Sequence, residues 1–174
     1  RATAQGRAGV AQVGPAAALA LVRKRTFGPY FVGNALSASG TWFQNLAASL
    51  LVYRQTHSAL LLGVLNFSQF IPILLLAPWA GGASDRWNRR SLLLVTQSIA
   101  VVLSGGLGLL AHLDLAPTAV VIADAVALGV VSAFSAPAQQ AIITQLVDED
   151  EVPTAVALNS MTFNLARAVG PATA

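Results

Sequence analysis

Residues 26–53, 55–84 and 91–113 contain no Asp, Glu, Lys or Arg. Nothing else in the sequence constrains the fold as strongly. A hydrocarbon core of about 30 Å takes about 20 residues of helix to cross. Each stretch therefore holds one crossing with its flanks, and none holds two joined by a polar turn. Two further stretches extend the pattern: residues 115–147 carry a single charge, Asp124, and residues 152–174 carry only Arg167. Backbone left unpaired in lipid is too costly to tolerate, so the crossings must be helices. The expected spans are Pro29–Tyr53, Ala59–Ala80, Ser91–Leu113, Thr118–Ala141 and Pro153–Ala174. This is an all-α membrane protein with five transmembrane helices in residues 27–174, behind a tail over residues 1–26.

Composition supports the same class. Charged residues make up 10% of the chain, against about 25% in a soluble domain. A pI of 10.2 could suggest nucleic acid, but the net charge is only +3. Basic residues beside long apolar runs are suited to phospholipid headgroups, so membrane lipid is the expected partner and nucleic acid is not. With no cysteine there is no disulfide framework or thiolate metal site. His57 and His112 sit near helix ends without metal-ligand spacing, and no metal or cofactor is expected. No nucleophile–base set is present either, so the chain does not read as an enzyme. Gly106-Leu107-Gly108 lies inside an apolar run rather than after a strand, which excludes a nucleotide loop. Asn66-Phe67-Ser68 matches a glycosylation pattern but falls within a predicted span.

Orientation follows from Lys and Arg in the flanks. The first segment carries Arg1, Arg7, Arg23, Lys24 and Arg25, and the second loop carries Arg86, Arg89 and Arg90. The first loop has Arg54 alone and the third, His112 to Pro117, has none. This bias places the N-terminus and the second loop in the cytoplasm. The fourth loop, near Asp148–Glu151, lies on that side too, and acidic residues count little in this rule. The apolar stretch Val10–Val22 is a poor signal peptide, since its basic residues follow it and it contains Gly14 and Pro15. It is expected to be a disordered or interfacial tail. Arg1 stands in place of an initiator Met and the last span is expected to be cut short, so a longer parent polypeptide is anticipated.

Within the spans, polar groups mark candidate pathway faces. Asn34, Thr41 and Asn45 fall within about 40° of one another on a helix of 3.6 residues per turn. Gly33, Ser37 and Thr41 recur every four positions, which permits close helix packing. Asp124 is expected about 10 Å from the outer end of its span, and Arg167 about 21 Å from the inner end of the next. Opposite charges at matching depth suggest an ion pair, either structural or serving as a proton or substrate site. Ser160 and Asn164 share the face of Arg167.

The second loop reads Gly81-Gly82-Ala83-Ser84-Asp85-Arg86-Trp87-Asn88-Arg89-Arg90. It resembles the G-x-x-x-D-R-x-G-R-R motif of the major facilitator superfamily, with matches at Gly81, Asp85, Arg86, Arg89 and Arg90. Asn88 replaces the usual glycine and is expected to tolerate the same left-handed turn. Ser39-Gly40-Thr41-Trp42-Phe43-Gln44 is similar to the first helix of exporters akin to the enterobactin exporter, with Thr41 where an acid is common. Ser58-Ala59-Leu60, Gln69-Phe70-Ile71-Pro72, Ala136-Pro137-Ala138-Gln139-Gln140, Leu158-Asn159-Ser160 and Asn164-Leu165-Ala166-Arg167 continue the likeness. Gln139 stands where the subgroup often has Arg, and the arginine common in the fourth helix is not evident. The end resembles the fifth-helix G-x-x-x-G-P-x-x-G-G antiporter pattern at Gly170 and Pro171, although Ala166 and Ala174 replace glycines.

The resemblance implies the N-terminal six-helix half of a major facilitator fold in the bacterial inner membrane. It further implies proton-coupled efflux of a small molecule, drug or siderophore-like, by alternating access against a C-terminal half absent from this chain. Asp85 would then lock the cytoplasmic side against a helix start in that second half. The alternative is a non-transporting membrane protein or an inactive truncated fragment.

Overall fold

A computed structural model describes residues 14–172, with the side chains of residues 84, 85 and 169–172 outside the description. Among the described residues there are six helices and no strand: α1 (Pro15–Arg23), α2 (Phe27–Thr56), α3 (Ala59–Arg86), α4 (Arg89–His112), α5 (Thr118–Leu146) and α6 (Val152–Ala172). A 3-10 turn at Glu149–Glu151 precedes α6. Five of the helices follow the charge-poor stretches in order. By length and composition alone, Ala59–Ala83, Arg89–His112 and Thr118–Leu146 are apolar enough to cross a membrane. The two long helices outside that set, α2 and α6, are the ones interrupted by Asn34, Gln44, Asn45, Asn159, Asn164 and Arg167.

Helix ends show why the breaks fall where they do. Ser58 caps α3, its hydroxyl accepting from the Leu61 N–H at 3.4 Å, and Asn88 caps α4 by accepting from Arg90 and Ser91 at 3.0 and 3.3 Å. His57 and Asp114 adopt left-handed backbone, with φ of 48° and 56°. The His57 N–H bonds to the Tyr53 carbonyl, and the Asp114 and Leu115 N–H groups bond to the Ala111 and Leu110 carbonyls. Those are the two ways in which a left-handed residue closes a helix C-terminus.

Two expectations need correcting. Of the two alternatives for the tail, disordered or interfacial, the first does not hold for Pro15–Arg23, which forms a helix with Pro at its start, where its missing N–H is harmless. The second loop is also shorter than its motif. Helix α3 runs through Gly81 to Arg86, and only Trp87 and Asn88 lie between α3 and α4.

The chain divides into two units. The terminal unit combines the chain up to Phe43 with Ile143 onward, the central unit is Gln44–Ile142, and α2 and α5 contribute to both. In the terminal unit, Leu21, Phe27, Ile143 and Ala155 form a buried cluster with Tyr30, Phe31, Leu146, Val147 and Leu158 around it. Gly28 belongs to this elbow, since a Cβ there would collide with the Val22 carbonyl. In the central unit, Val52, Leu65, Leu107, Ala116, Val121 and Ala125 are buried together. Gly129 of α5 is buried against α3, where a Cβ would run into the Gln69 carbonyl. Elsewhere large apolar side chains face outward, Leu60 and Leu74 each 77% exposed. Extensive outward apolar surface is what a lipid environment accommodates and water does not.

Candidate functional site

The central unit holds a polar cluster set into otherwise apolar helices. Gln44 of α2 donates through Nε2 to Asp124 Oδ2 of α5 at 3.0 Å. Its Oε1 accepts a hydrogen bond from the Ser104 hydroxyl of α4. One residue on, Asn45 Oδ1 accepts from Gln69 Nε2 of α3 at 3.0 Å. Four helices are thereby joined through two adjacent side chains of α2. A cleft is lined by Gln44, Asn45, Ser49, Asn66, Gln69 and Asp124, with Leu65, Val121, Ala125 and Leu128 as its apolar walls. Its lining holds one acidic side chain and no basic one.

The physical character of this cluster follows from its inventory. An ionised carboxylate only accepts hydrogen bonds, whereas an amide both donates and accepts. Gln44 can thus satisfy Asp124 with one end and Ser104 with the other. Amide and hydroxyl groups within a helix bundle are retained where they find partners across helices or line a polar cavity. Toward the other end of the unit, Gln55 donates to the Ala116 carbonyl at 2.8 Å and accepts from the Thr118 hydroxyl at 2.8 Å, tying the end of α2 to the start of α5.

A second seam runs between α2 and α6 in the terminal unit. Asn34 Nδ2 donates to Asn159 Oδ1 at 2.6 Å. The Trp42 ring meets Phe163 edge-on, with centroids 5.8 Å apart, and the Arg167 guanidinium lies 5.9 Å from the Trp42 ring centroid. Asn159, Phe163 and Arg167 are four residues apart, so they line one face of α6. A guanidinium over an indole face is held by the ring quadrupole. Below this seam, Lys24 Nζ bridges Asp148 at 3.1 Å and Glu151 at 2.6 Å. Those two hydrogen bonds, Glu151 first, raise the Lys24 pKa above its ordinary 10.5.

Of the predicted pathway residues, Asn34 and Asn45 make cross-helix contacts, Asn34 in the terminal unit and Asn45 in the central one. Thr41 and Asn164 instead bond to their own helices, at the Ser37 and Ser160 carbonyls. Gly33 has open space where a Cβ would sit, so the close packing expected of the Gly33–Ser37–Thr41 row is not found there among the described residues. Asp124 has Gln44 in the central unit and Arg167 has Trp42 in the terminal one.

In the loop motif, Arg89 Nη1 donates to the Ala141 carbonyl of α5 at 3.3 Å. Arg86 and Arg90 are exposed. The Asp85 side chain lies outside the described residues, as do those of positions 170 and 171, although the α6 backbone covers Gly170 and Pro171. Asn88 is not left-handed: its φ of −63° and ψ of 116° are those of a helix cap. Sequence reasoning did not pick out Gln44, Ser104, Gln69, Asn159 or Trp42 as site residues. Four of them sit inside the runs that carry the family likeness, whereas Ser104 had no signal beyond being a hydroxyl in an apolar span.

A helical membrane bundle with this loop motif between its second and third long helices, and with polar groups gathered in its interior, defines a class: proteins of the major facilitator fold. The comparisons narrow it. The chain belongs to the transmembrane secretion effector family of the major facilitator superfamily, which it matches over residues 16–174. It is 34% identical over 146 residues to the staphyloferrin A transporter of Staphylococcus aureus (strain NCTC 8325 / PS 47), an alignment covering 83% of this chain. The chain spans 37% of that relative's length. No solved structure matches it.

Proposed function

We propose that this chain is the front part of a transporter that exports a small molecule, drug or siderophore-like, across the bacterial inner membrane in exchange for protons. The observation that carries the proposal is the Ser104–Gln44–Asp124 hydrogen-bond chain beside the Asn45–Gln69 pair, with Gln44, Asp124, Asn45 and Gln69 lining a cleft in apolar helices. Ionisable groups inside membrane helices are expensive, and they mark ion and substrate paths. All five long helices cross the membrane in this reading, with the N-terminus and the second loop cytoplasmic under the positive-inside rule. Alternating access needs a second repeat to rock against this one. Asp85 acts there as a cytoplasmic latch on a helix N-terminus of that second half. The family and the relative are described as secretion or transport proteins, which favours transport over catalysis.

The test is transport by the full-length parent in proteoliposomes under an imposed pH gradient. The cargo probes are staphyloferrin A, named for the relative, and ethidium. At least one probe is expected to move against its gradient, driven by protons. Asp124→Asn and Arg167→Gln are each expected to lower the initial rate about tenfold, equivalent to about 1.4 kcal/mol of barrier. Unaltered rates in both variants and in the double variant would remove the two residues from the mechanism. Asp85→Asn is expected to slow turnover more than it weakens binding. A parent that moves neither probe would favour a non-transporting membrane protein.

A further inference from the structure

Helix α1 has two apolar faces, and only one of them is packed on protein. Its sequence, PAAALALVR, has no polar side chain before Arg23. Leu21 is 2% exposed, in the cluster with Phe27, Ile143 and Ala155. On the other side Ala16, Leu19, Ala20 and Arg23 are exposed. At 3.6 residues per turn these four lie within an arc of about 100°, centred about 150° round the helix from Leu21. The outward face is thus an apolar strip ending in a guanidinium.

The basic triplet that follows is divided by the structure. Lys24 is held between Asp148 and Glu151, while Arg23 and Arg25 on either side of it are exposed. The residue between them answers the protein's own carboxylates and the two flanking cations face outward. The Thr26 hydroxyl, bonded to the Leu146 carbonyl at 3.2 Å, pins the same elbow from its other end. A short helix with an outward apolar strip and terminal arginines, fixed beside the start of a long helix, suits the boundary between acyl chains and headgroups.

We infer that α1 is an interfacial lipid-binding element: Leu19 and its alanine neighbours enter the acyl boundary, and Arg23 and Arg25 bind the phosphates of anionic phospholipids. The inference needs the chain to be a membrane protein but does not need the parent to transport anything. Coulomb attraction to an anionic surface falls away within a Debye length, so both arginines must sit at that surface, and their position beside α1 provides this.

Two measurements on the full-length parent test it. Thermal unfolding is compared in nanodiscs of phosphatidylcholine with and without phosphatidylglycerol. The wild type is expected to gain a few degrees from the anionic lipid, and Arg23→Gln/Arg25→Gln should lose most of that gain. Lys24→Gln should lower the midpoint alike in both bilayers and keep the gain. A full gain in the double arginine variant overturns the proposal, as does an equal gain from inorganic phosphate without anionic lipid. In the second measurement a bimane probe is placed on Leu19→Cys; residues 1–174 hold no cysteine, and any cysteine elsewhere in the parent is first replaced by serine. Quenching by brominated lipid and not by iodide is expected. Quenching by iodide alone would put the strip in water, and quenching by neither would mean that protein covers it.

Discussion

His57 and Asp114 occupy positions where glycine is the usual choice. Both take positive φ to close a helix, where any residue with a Cβ is less favourable than glycine. A left-handed residue with a Cβ costs roughly 1–2 kcal/mol relative to the right-handed region. His57→Gly is therefore expected to raise stability by about 1 kcal/mol, read as a higher unfolding midpoint in detergent. If the midpoint falls, the imidazole has a role beyond ending the helix. The tilted ring contact of His57 with Tyr53, centroids 5.7 Å apart, is what would be lost. Asn88 makes the opposite case. It stands where the superfamily motif has glycine, and its side chain caps α4. Asn88→Ala is expected to cost about 1 kcal/mol, and Asn88→Gly only a few tenths. Equal losses in the two variants would argue against the cap.

At the scale of elements, the elbow between α1 and α2 is joined to the start of α6 by one lysine. Glu151 Oε2 accepts from both Lys24 and the Asp148 N–H, so the turn before α6 is ordered by the same group that anchors the elbow. Lys24 titrates above its ordinary 10.5 because its charged form is hydrogen-bonded by Glu151 and Asp148. Folding favours the protonated lysine, so its contribution is complete below 10.5 and disappears as pH rises through the raised folded value. The difference in unfolding midpoint between wild type and Lys24→Gln should stay flat through neutral pH and shrink only in strong alkali. A difference that vanishes at neutral pH would show that the clamp is screened away in solution. The motif arginines divide in a similar manner: Arg89 reaches a carbonyl of α5, while Arg86 and Arg90 are exposed.

At the scale of the molecule, the central unit depends on how closely α3 and α5 approach. Gly129 permits that approach, with the Gln69 carbonyl and Pro72 against it. Gln69 also donates to Asn45, so displacing this part of α3 would disturb the polar cluster. Gly129→Leu is expected to destabilise the protein by about 1–3 kcal/mol through overpacking. The check is thermal unfolding, with Gly63→Leu as the control because nothing lies within 4 Å of a Cβ at Gly63. Equal effects of the two substitutions would mean that the contact at Gly129 is not tight.

Much of this architecture was legible in residue order alone. Runs without charge dictate helices because unpaired backbone cannot remain in lipid, and the Asp85–Arg90 string with its flanking spans was enough to suggest the superfamily. The same logic marked Asp124 and Arg167 as unusual, since a charge within an apolar run stands out however the chain folds. It could not say which partner each would meet. Gln44 facing Asp124, Trp42 beneath Arg167 and Lys24 between two carboxylates are contacts between residues tens of positions apart or more. Helical periodicity assigns a residue to a face, but it does not say which neighbour that face meets. Asn34 and Asn45 share a face of α2, yet Asn34 bonds within the terminal unit and Asn45 within the central one, while Thr41 between them bonds to its own helix. Sequence alone determined the element type, the order of the helices and the family, because those depend on local composition and spacing. Tertiary structure decided the partners, because side-chain hydrogen bonds act over about 3 Å and exist only once the helices have packed.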